Sequence, residues 1–215
     1  MVHAEGLVGY AVHQEAILNL IFDLGGVVFT WEPEEIINRV FADPAVQTLV
    51  RTQIFNHADW SRLDRGTLLY PEAIVRAAER TGLPASAVAR LFRQIPLSLV
   101  GLPESVALLR RLKMKGHRLF YLSNMHVASM KYIERAYTFW DVFEGGVMSC
   151  RVHLIKPEPK IFNYLTEQYG LNGTQTIFID DMTANLEPAE RIGIQTIKFD
   201  NPIQCEYQLE VLGCV

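Results

Sequence analysis

The spacing of apolar residues changes period twice along this chain. Residues 17–22 read Ile-Leu-Asn-Leu-Ile-Phe, a short run suited to a strand buried on both faces. From residue 34 to 94 the period is helical, with Ile36, Ile37, Val40 and Phe41, and later Ile74, Val75 and Ala78, on recurrent faces. Pro33, Pro44, Pro71 and Pro84 stand near first turns and Gly82 follows a last one, with no strand pattern between them. From Pro103 onward helices and strands alternate. Helix 104–115 stops at Gly116 and is followed by strand 118–122, helix 127–136 and a short strand 146–148. Lys156-Pro157-Glu158-Pro159 then opens a helix to Tyr169, followed by strand 176–179, helix 184–192 and strand 195–199. Such alternation predicts an α/β fold with a parallel sheet. The expected organisation is a core of residues 17–31 and 103–215, a helical lobe of residues 32–102 inserted after the first strand, and an N-terminal arm, 1–16, with no assignable role.

Length and composition narrow the class. A chain of 215 residues can bury one good core with a modest second lobe. A formal net charge of −4 gives no reason to expect nucleic acid or an anionic membrane as partner. Cys150, Cys205 and Cys214 are odd in number and widely spaced, which suits neither a disulfide framework nor a zinc site and points to a reducing compartment. With no apolar run of membrane-spanning length and no signal-type segment in residues 1–16, the expected location is the cytoplasm. No pattern fixes an oligomeric state.

The chemistry enters at the strand ends. Asp23, Ser123, Asn124, Asp180 and Asp181 directly follow apolar runs, and Lys156 stands in a loop before a helix. In a parallel sheet the carboxyl ends of the strands converge on one crevice. Three carboxylates there repel one another unless a divalent cation lies among them, and all-oxygen ligands suit Mg²⁺. Ser123 and Asn124 can hydrogen-bond phosphoryl oxygens, Lys156 supplies a compact positive charge, and Gly25 and Gly26 leave backbone N–H groups free to meet an anion. The set describes nucleophilic phosphoryl transfer, with Asp23 attacking phosphorus and an aspartyl-phosphate formed and then hydrolysed.

The segments Phe22-Asp23-Leu24-Gly25-Gly26-Val27, Leu122-Ser123-Asn124, Lys156-Pro157-Glu158-Pro159 and Phe178-Ile179-Asp180-Asp181-Met182-Thr183-Ala184-Asn185 resemble, in order, the four motifs of the haloacid dehalogenase-like hydrolase superfamily. The resemblance implies a Rossmann-like core with an inserted α-helical cap of the C1 type. Within the superfamily the chain is similar to the branch holding bacterial α-D-glucose-1-phosphate phosphatases and the N-terminal phosphatase domain of soluble epoxide hydrolase. It implies a Mg²⁺-dependent phosphatase acting on a small phosphorylated metabolite, with a sugar phosphate expected. It further implies Asp23 as nucleophile and metal ligand, the Gly25 carbonyl and Asp181 as further ligands, Asp180 in or near the metal shell, and Asn185 orienting that group.

One position departs from the superfamily pattern. Many of its phosphatases carry an acid/base aspartate two residues after the nucleophile, where this chain has Gly25. Such a group contributes about 10²–10⁴-fold in rate. His126, or His57, Asp59 or Asp64 from the helical lobe, could substitute for it. The dense polar and aromatic segment 56–66 is a candidate substrate-contacting loop, with Trp60 stacking on a sugar and Arg62 or Arg65 reaching an anion. Trp31 is a candidate to line the junction of the two lobes. Two alternatives stay open: a 2-haloacid dehalogenase, which attacks carbon and uses no metal, and a slow or inactive protein that binds a phosphorylated ligand.

Overall fold

The computed structural model describes residues 17–214, so the expectation of an N-terminal arm lies outside the described residues. Five parallel strands form one sheet: β1 (Asn19–Phe22), β2 (Arg118–Ser123), β3 (Gly145–Met148), β4 (Thr176–Asp180) and β5 (Gln195–Lys198). Their spatial order is β3-β2-β1-β4-β5. Phe22 is therefore level with Tyr121 on one side and Ile179 on the other, and the residues after each of these strands meet at one edge. The first strand begins two residues later than its apolar run. Ile17 is 62% exposed, whereas Asn19 is buried with its amide donating to Thr176 Oγ1 and the Gln175 carbonyl.

After β1, residues 33–97 form five helices, α1 (Pro33–Val40), α2 (Pro44–Val50), α3 (Ala58–Asp64), α4 (Tyr70–Thr81) and α5 (Ala85–Leu97), with a wide π-type turn at Arg51–Phe55. They close around apolar residues of their own, including Ile36, Ile37, Val50, Val88, Leu91 and Phe92. The chain segments entering and leaving them are zipped together: Thr30 N donates to the Val100 carbonyl at 2.8 Å and Leu102 N to the Val28 carbonyl at 2.8 Å.

The sheet is sandwiched between helices. On the side of Leu20, Phe22 and Leu119 pack α6 (Pro103–Met114) and α7 (Val127–Ala136); on the side of Ile21, Phe120 and Phe178 pack α9 (Pro159–Tyr169) and α10 (Thr183–Arg191). A short helix, α8 (Ser149–Val152), follows β3. Alternation does not end at β5: a further helix, α11 (Pro202–Val211), buries only Cys205 and Leu209. Its remaining apolar residues, Ile203, Tyr207 and Val211, face outward and blur the helical period. No helix among the described residues is long and apolar enough to cross a membrane.

Candidate active site

Strand termini deliver the charged residues. Asp23 leaves β1 with its N–H donating to the Ile179 carbonyl at 2.8 Å, and its Oδ1 accepts from Leu24 N at 2.6 Å. Lys156 Nζ lies 2.8 Å from Asp23 Oδ2 and 2.7 Å from Asp180 Oδ2, with its side chain 1% exposed. Burial works against the ammonium, but Asp23 and Asp180 outweigh it and hold the Lys156 pKa above its ordinary value. Burial pushes the Asp23 carboxyl up to about 7 against the pull of Lys156, and the charges of Asp180 and Asp181 add to the rise. Oxygens of Asp23, Asp180 and Asp181 all lie within 4.8 Å of one another.

The two adjacent aspartates differ in their surroundings. Asp180 is fully buried and heavily engaged: beyond Lys156, it accepts from Met182 N at 2.8 Å and from Asn185 Nδ2 at 3.0 Å on both oxygens. Asp181 is half-buried and lines the open space beside Asp23. Burial, and then the charge of Asp180, raise its pKa. Asn185 thus orients Asp180.

Gly26 and Asn124 already carry hydrogen bonds within the protein. The Gly26 N–H already donates to the Phe29 carbonyl at 2.8 Å, so the expectation that it meets an anion fails: its single donor is taken. Gly26 is needed for space and conformation instead. Its φ is +78°, and a Cβ there would lie 2.5 Å from Asp181 Oδ2. The Asn124 carboxamide clamps the backbone of Lys156, with Nδ2 donating to its carbonyl at 2.9 Å and Oδ1 accepting from its N–H at 2.8 Å. Asn124 and Ser123 both line the cavity, and the Lys156–Pro157 peptide is cis.

That cavity encloses about 300 Å³ between the sheet edge and the helices of residues 33–97. Asp23, Gly25, Ser123, Lys156 and Asp181 form its charged end. Trp31, Trp60, Leu99, Met125 and Met182 supply apolar walls, and Asp64 and His126 also face it. Trp31 and Trp60 pack with ring centroids 5.9 Å apart, and Phe55 packs against Trp60 in a tilted arrangement at 4.6 Å. His126 is buried between Trp60 and Tyr70; burial drives its pKa down to about 4, and its Nδ1 accepts from Ser129 N.

Of the segment 56–66, Trp60 and Asp64 reach the cavity, while the two arginines do not. Arg62 pairs with Asp59, which also meets Arg76, Arg80 and His57 in a cluster that does not line the cavity. Burial alone would raise Asp59, but Arg80 and then His57 and Arg76 hold it below the usual carboxylate range. Arg65 forms a bidentate pair with Glu158 and donates to the His153 carbonyl at 3.1 Å. His153 Nδ1 contacts the Arg65 carbonyl at 2.8 Å, and Ser149 Oγ donates to the Asp64 carbonyl at 2.5 Å while accepting from Met125 N at 2.8 Å. A Cβ on Gly66, whose φ is +74°, would fall 2.5 Å from the Cys150 carbonyl. This clasp joins α3 to the loop between β3 and α9, and the opposite charges of Arg65 and Glu158 are its visible signal in sequence.

Comparison with known proteins gives this arrangement a context. A haloacid dehalogenase-like hydrolase profile matches residues 17–193. The chain is 27% identical over 195 residues to a sesquiterpene phosphatase, astK, of Aspergillus oryzae, covering 90% of this chain and 96% of the relative. It is 21% identical to a D-ribitol-5-phosphate phosphatase of Bacteroides thetaiotaomicron, covering 91% and 98%. A solved HAD-family enzyme from Bacteroides thetaiotaomicron, in complex with magnesium, superposes with a TM-score of 0.68 at 26% identity, covering 85% of this chain and 93% of that one.

Proposed function

Since the chain belongs to the haloacid dehalogenase-like hydrolases and is an enzyme of that family, we propose that it is a Mg²⁺-dependent phosphatase of a small phosphorylated metabolite, with Asp23 as nucleophile. The observation that carries this reading is the convergence of Asp23, Asp180 and Asp181, with the Lys156 ammonium bridging the first two. Three carboxylates beside one buried ammonium leave an excess of negative charge facing the cavity, and an all-oxygen donor set fits a hard divalent ion. Asp23 and Asp181, with the Gly25 carbonyl, are the residues that would hold Mg²⁺, which when bound neutralises charge on a phosphoryl group. Asp180, engaged by Lys156 and Asn185, positions the lysine.

The chain's own groups then act as follows. Asp23 attacks phosphorus, the Lys156 ammonium faces the equatorial oxygens, and Ser123 hydrogen-bonds one of them. The helices of residues 32–102 serve as a cap that excludes water and presents the apolar walls to the organic moiety. Phosphatase relatives of polyol and terpenoid name support a phosphomonoester substrate. Trp31 and Trp60 suit the face of a sugar, and together with Leu99, Met125 and Met182 they suit a hydrocarbon chain. A 2-haloacid would bring its carboxylate against the same excess negative charge.

The test is phosphate release from a panel of polyol, sugar and prenyl monophosphates with Mg²⁺ or with chelator. Release that needs Mg²⁺ and disappears in Asp23→Asn, with the fold retained, supports the reading; full activity in that variant refutes it.

A further inference from the structure

Expelling an alkoxide from phosphorus needs a proton donor within reach of the leaving oxygen. The loop that follows Asp23 has none, since Leu24, Gly25 and Gly26 carry no titratable group. With Asp181 assigned beside Asp23 to the metal site, the other candidate groups divide sharply. Lys156 is held between two carboxylates at under 3 Å. His126 is neutral because of its burial, and its Nδ1 already accepts from Ser129 N. Asp59 and His57 belong to the arginine cluster elsewhere. Asp64 is different: its carboxyl faces the cavity from the last residue of α3, and Trp60, one helical turn earlier, hydrogen-bonds it.

Its backbone is also fixed to the core. The Asp64 carbonyl accepts from Ser149 Oγ, Arg65 is paired to Glu158, and Gly66 packs directly on Cys150. A side chain on a mobile cap could not be aimed at a reacting atom, whereas this one is held in place relative to Asp23 across 41 residues of chain. Resting on the phosphatase reading above, we propose that Asp64 is the general acid and base of the reaction, supplied by the cap.

The steps balance. As Asp23 Oδ bonds to phosphorus, the bond from phosphorus to the alkoxyl oxygen breaks and the Asp64 proton passes to that oxygen, releasing an alcohol. Asp64, now a carboxylate, takes a proton from water as the water oxygen attacks phosphorus. The bond to Asp23 breaks, inorganic phosphate leaves and Asp64 is protonated again. Burial raises its pKa to about 7, opposed by Lys156 and helped by Asp23, so the acid form persists at neutral pH. The other groups that face it are Tyr70 of α4 and Cys150 of α8.

Leaving-group dependence tests this. Wild type and Asp64→Asn are compared, with Mg²⁺, on 4-nitrophenyl phosphate, whose phenolate departs without a proton, and on the alkyl phosphate that wild type hydrolyses fastest. The variant is expected to lose about 10²–10⁴-fold in kcat/KM on the alkyl ester and much less on the aryl ester, and to lose the alkaline fall in the alkyl pH profile. Aryl turnover shows in the same sample that the site is folded. An equal loss on both esters, or no loss on either, overturns the role of Asp64. Failure of wild type to release phosphate from any ester overturns instead the phosphatase reading on which it rests.

Discussion

Asparagine at position 64 should make the protein more stable above neutral pH, because aspartate there carries an electrostatic cost that the amide lacks. The carboxyl rises from its ordinary value of 3.8 to about 7, chiefly through burial. Between those values the native state holds a proton that the unfolded chain has released. Stability from this group is therefore complete below about pH 3.8 and is lost as pH rises through about 7. A rise of about three units is worth roughly 4 kcal/mol at most, at about 1.4 kcal/mol per unit. Asp64 is only half-buried and opens on the cavity, so water screens it and about 1–3 kcal/mol is the expected size. Urea unfolding of wild type and Asp64→Asn, with chelator, at about pH 4.5 and about pH 8 measures it. Asp23 carries its own rise in both proteins and largely cancels from the difference. The gain in unfolding free energy from Asp64→Asn should be larger at the higher pH by that amount. Parallel profiles, with the same difference at both pH values, would refute the assignment of a raised Asp64.

Other perturbations probe neighbouring parts of the argument. Lys156→Met removes the one cation between Asp23 and Asp180 and should cost about 3–5 kcal/mol in denaturant unfolding; a loss below about 1 kcal/mol would mean the pair is solvated. Asp181→Asn should raise the Mg²⁺ concentration needed for half-maximal phosphate release while leaving the melting temperature near wild type, and an unchanged Mg²⁺ requirement would misplace the metal site. Gly66→Ala combines a φ of +74° with a Cβ 2.5 Å from the Cys150 carbonyl. It should destabilise by about 1–3 kcal/mol and speed amide hydrogen exchange in residues 58–66 and 149–158; exchange unchanged in both segments would show that the clasp does not hold the cap.

The sequence was most informative where local pattern and burial coincide. Strands β1, β2 and β4 are short, apolar and closed by polar residues, so Asp23, Ser123 and Asp180 could be assigned to one sheet edge before any coordinates. The helical character of residues 34–94 is equally plain, since the period is set within each of its helices. What escaped depends on partners distant in sequence. Arg65 looks like a free cation on paper, and only its contact 93 residues away at Glu158 removes it from substrate binding. Asn124 reads in sequence only as a polar group at a strand end, and its grip on the Lys156 backbone through both ends of its amide depends on a partner 32 residues away. Gly26 failed for a subtler reason: the loop folds back, and its N–H is satisfied three residues on by Phe29. Helix α11 is hard to read from sequence because three of its five apolar residues face solvent.

The clasp between α3 and the loop before α9 bears on how such enzymes can be recombined. A cap exchanged between relatives as residues 32–102 alone would bring its own turn after α3 to a docking loop shaped for Arg65 and Gly66. Ser149 Oγ and Glu158 would face foreign partners, and the backbone at Cys150 would meet whatever replaced the glycine. The module expected to transfer is discontinuous, comprising the helices of residues 33–97 together with residues 149–158. Chimaeras that respect this boundary should fold with their cavities aligned, whereas those cut only at the two linkers should not.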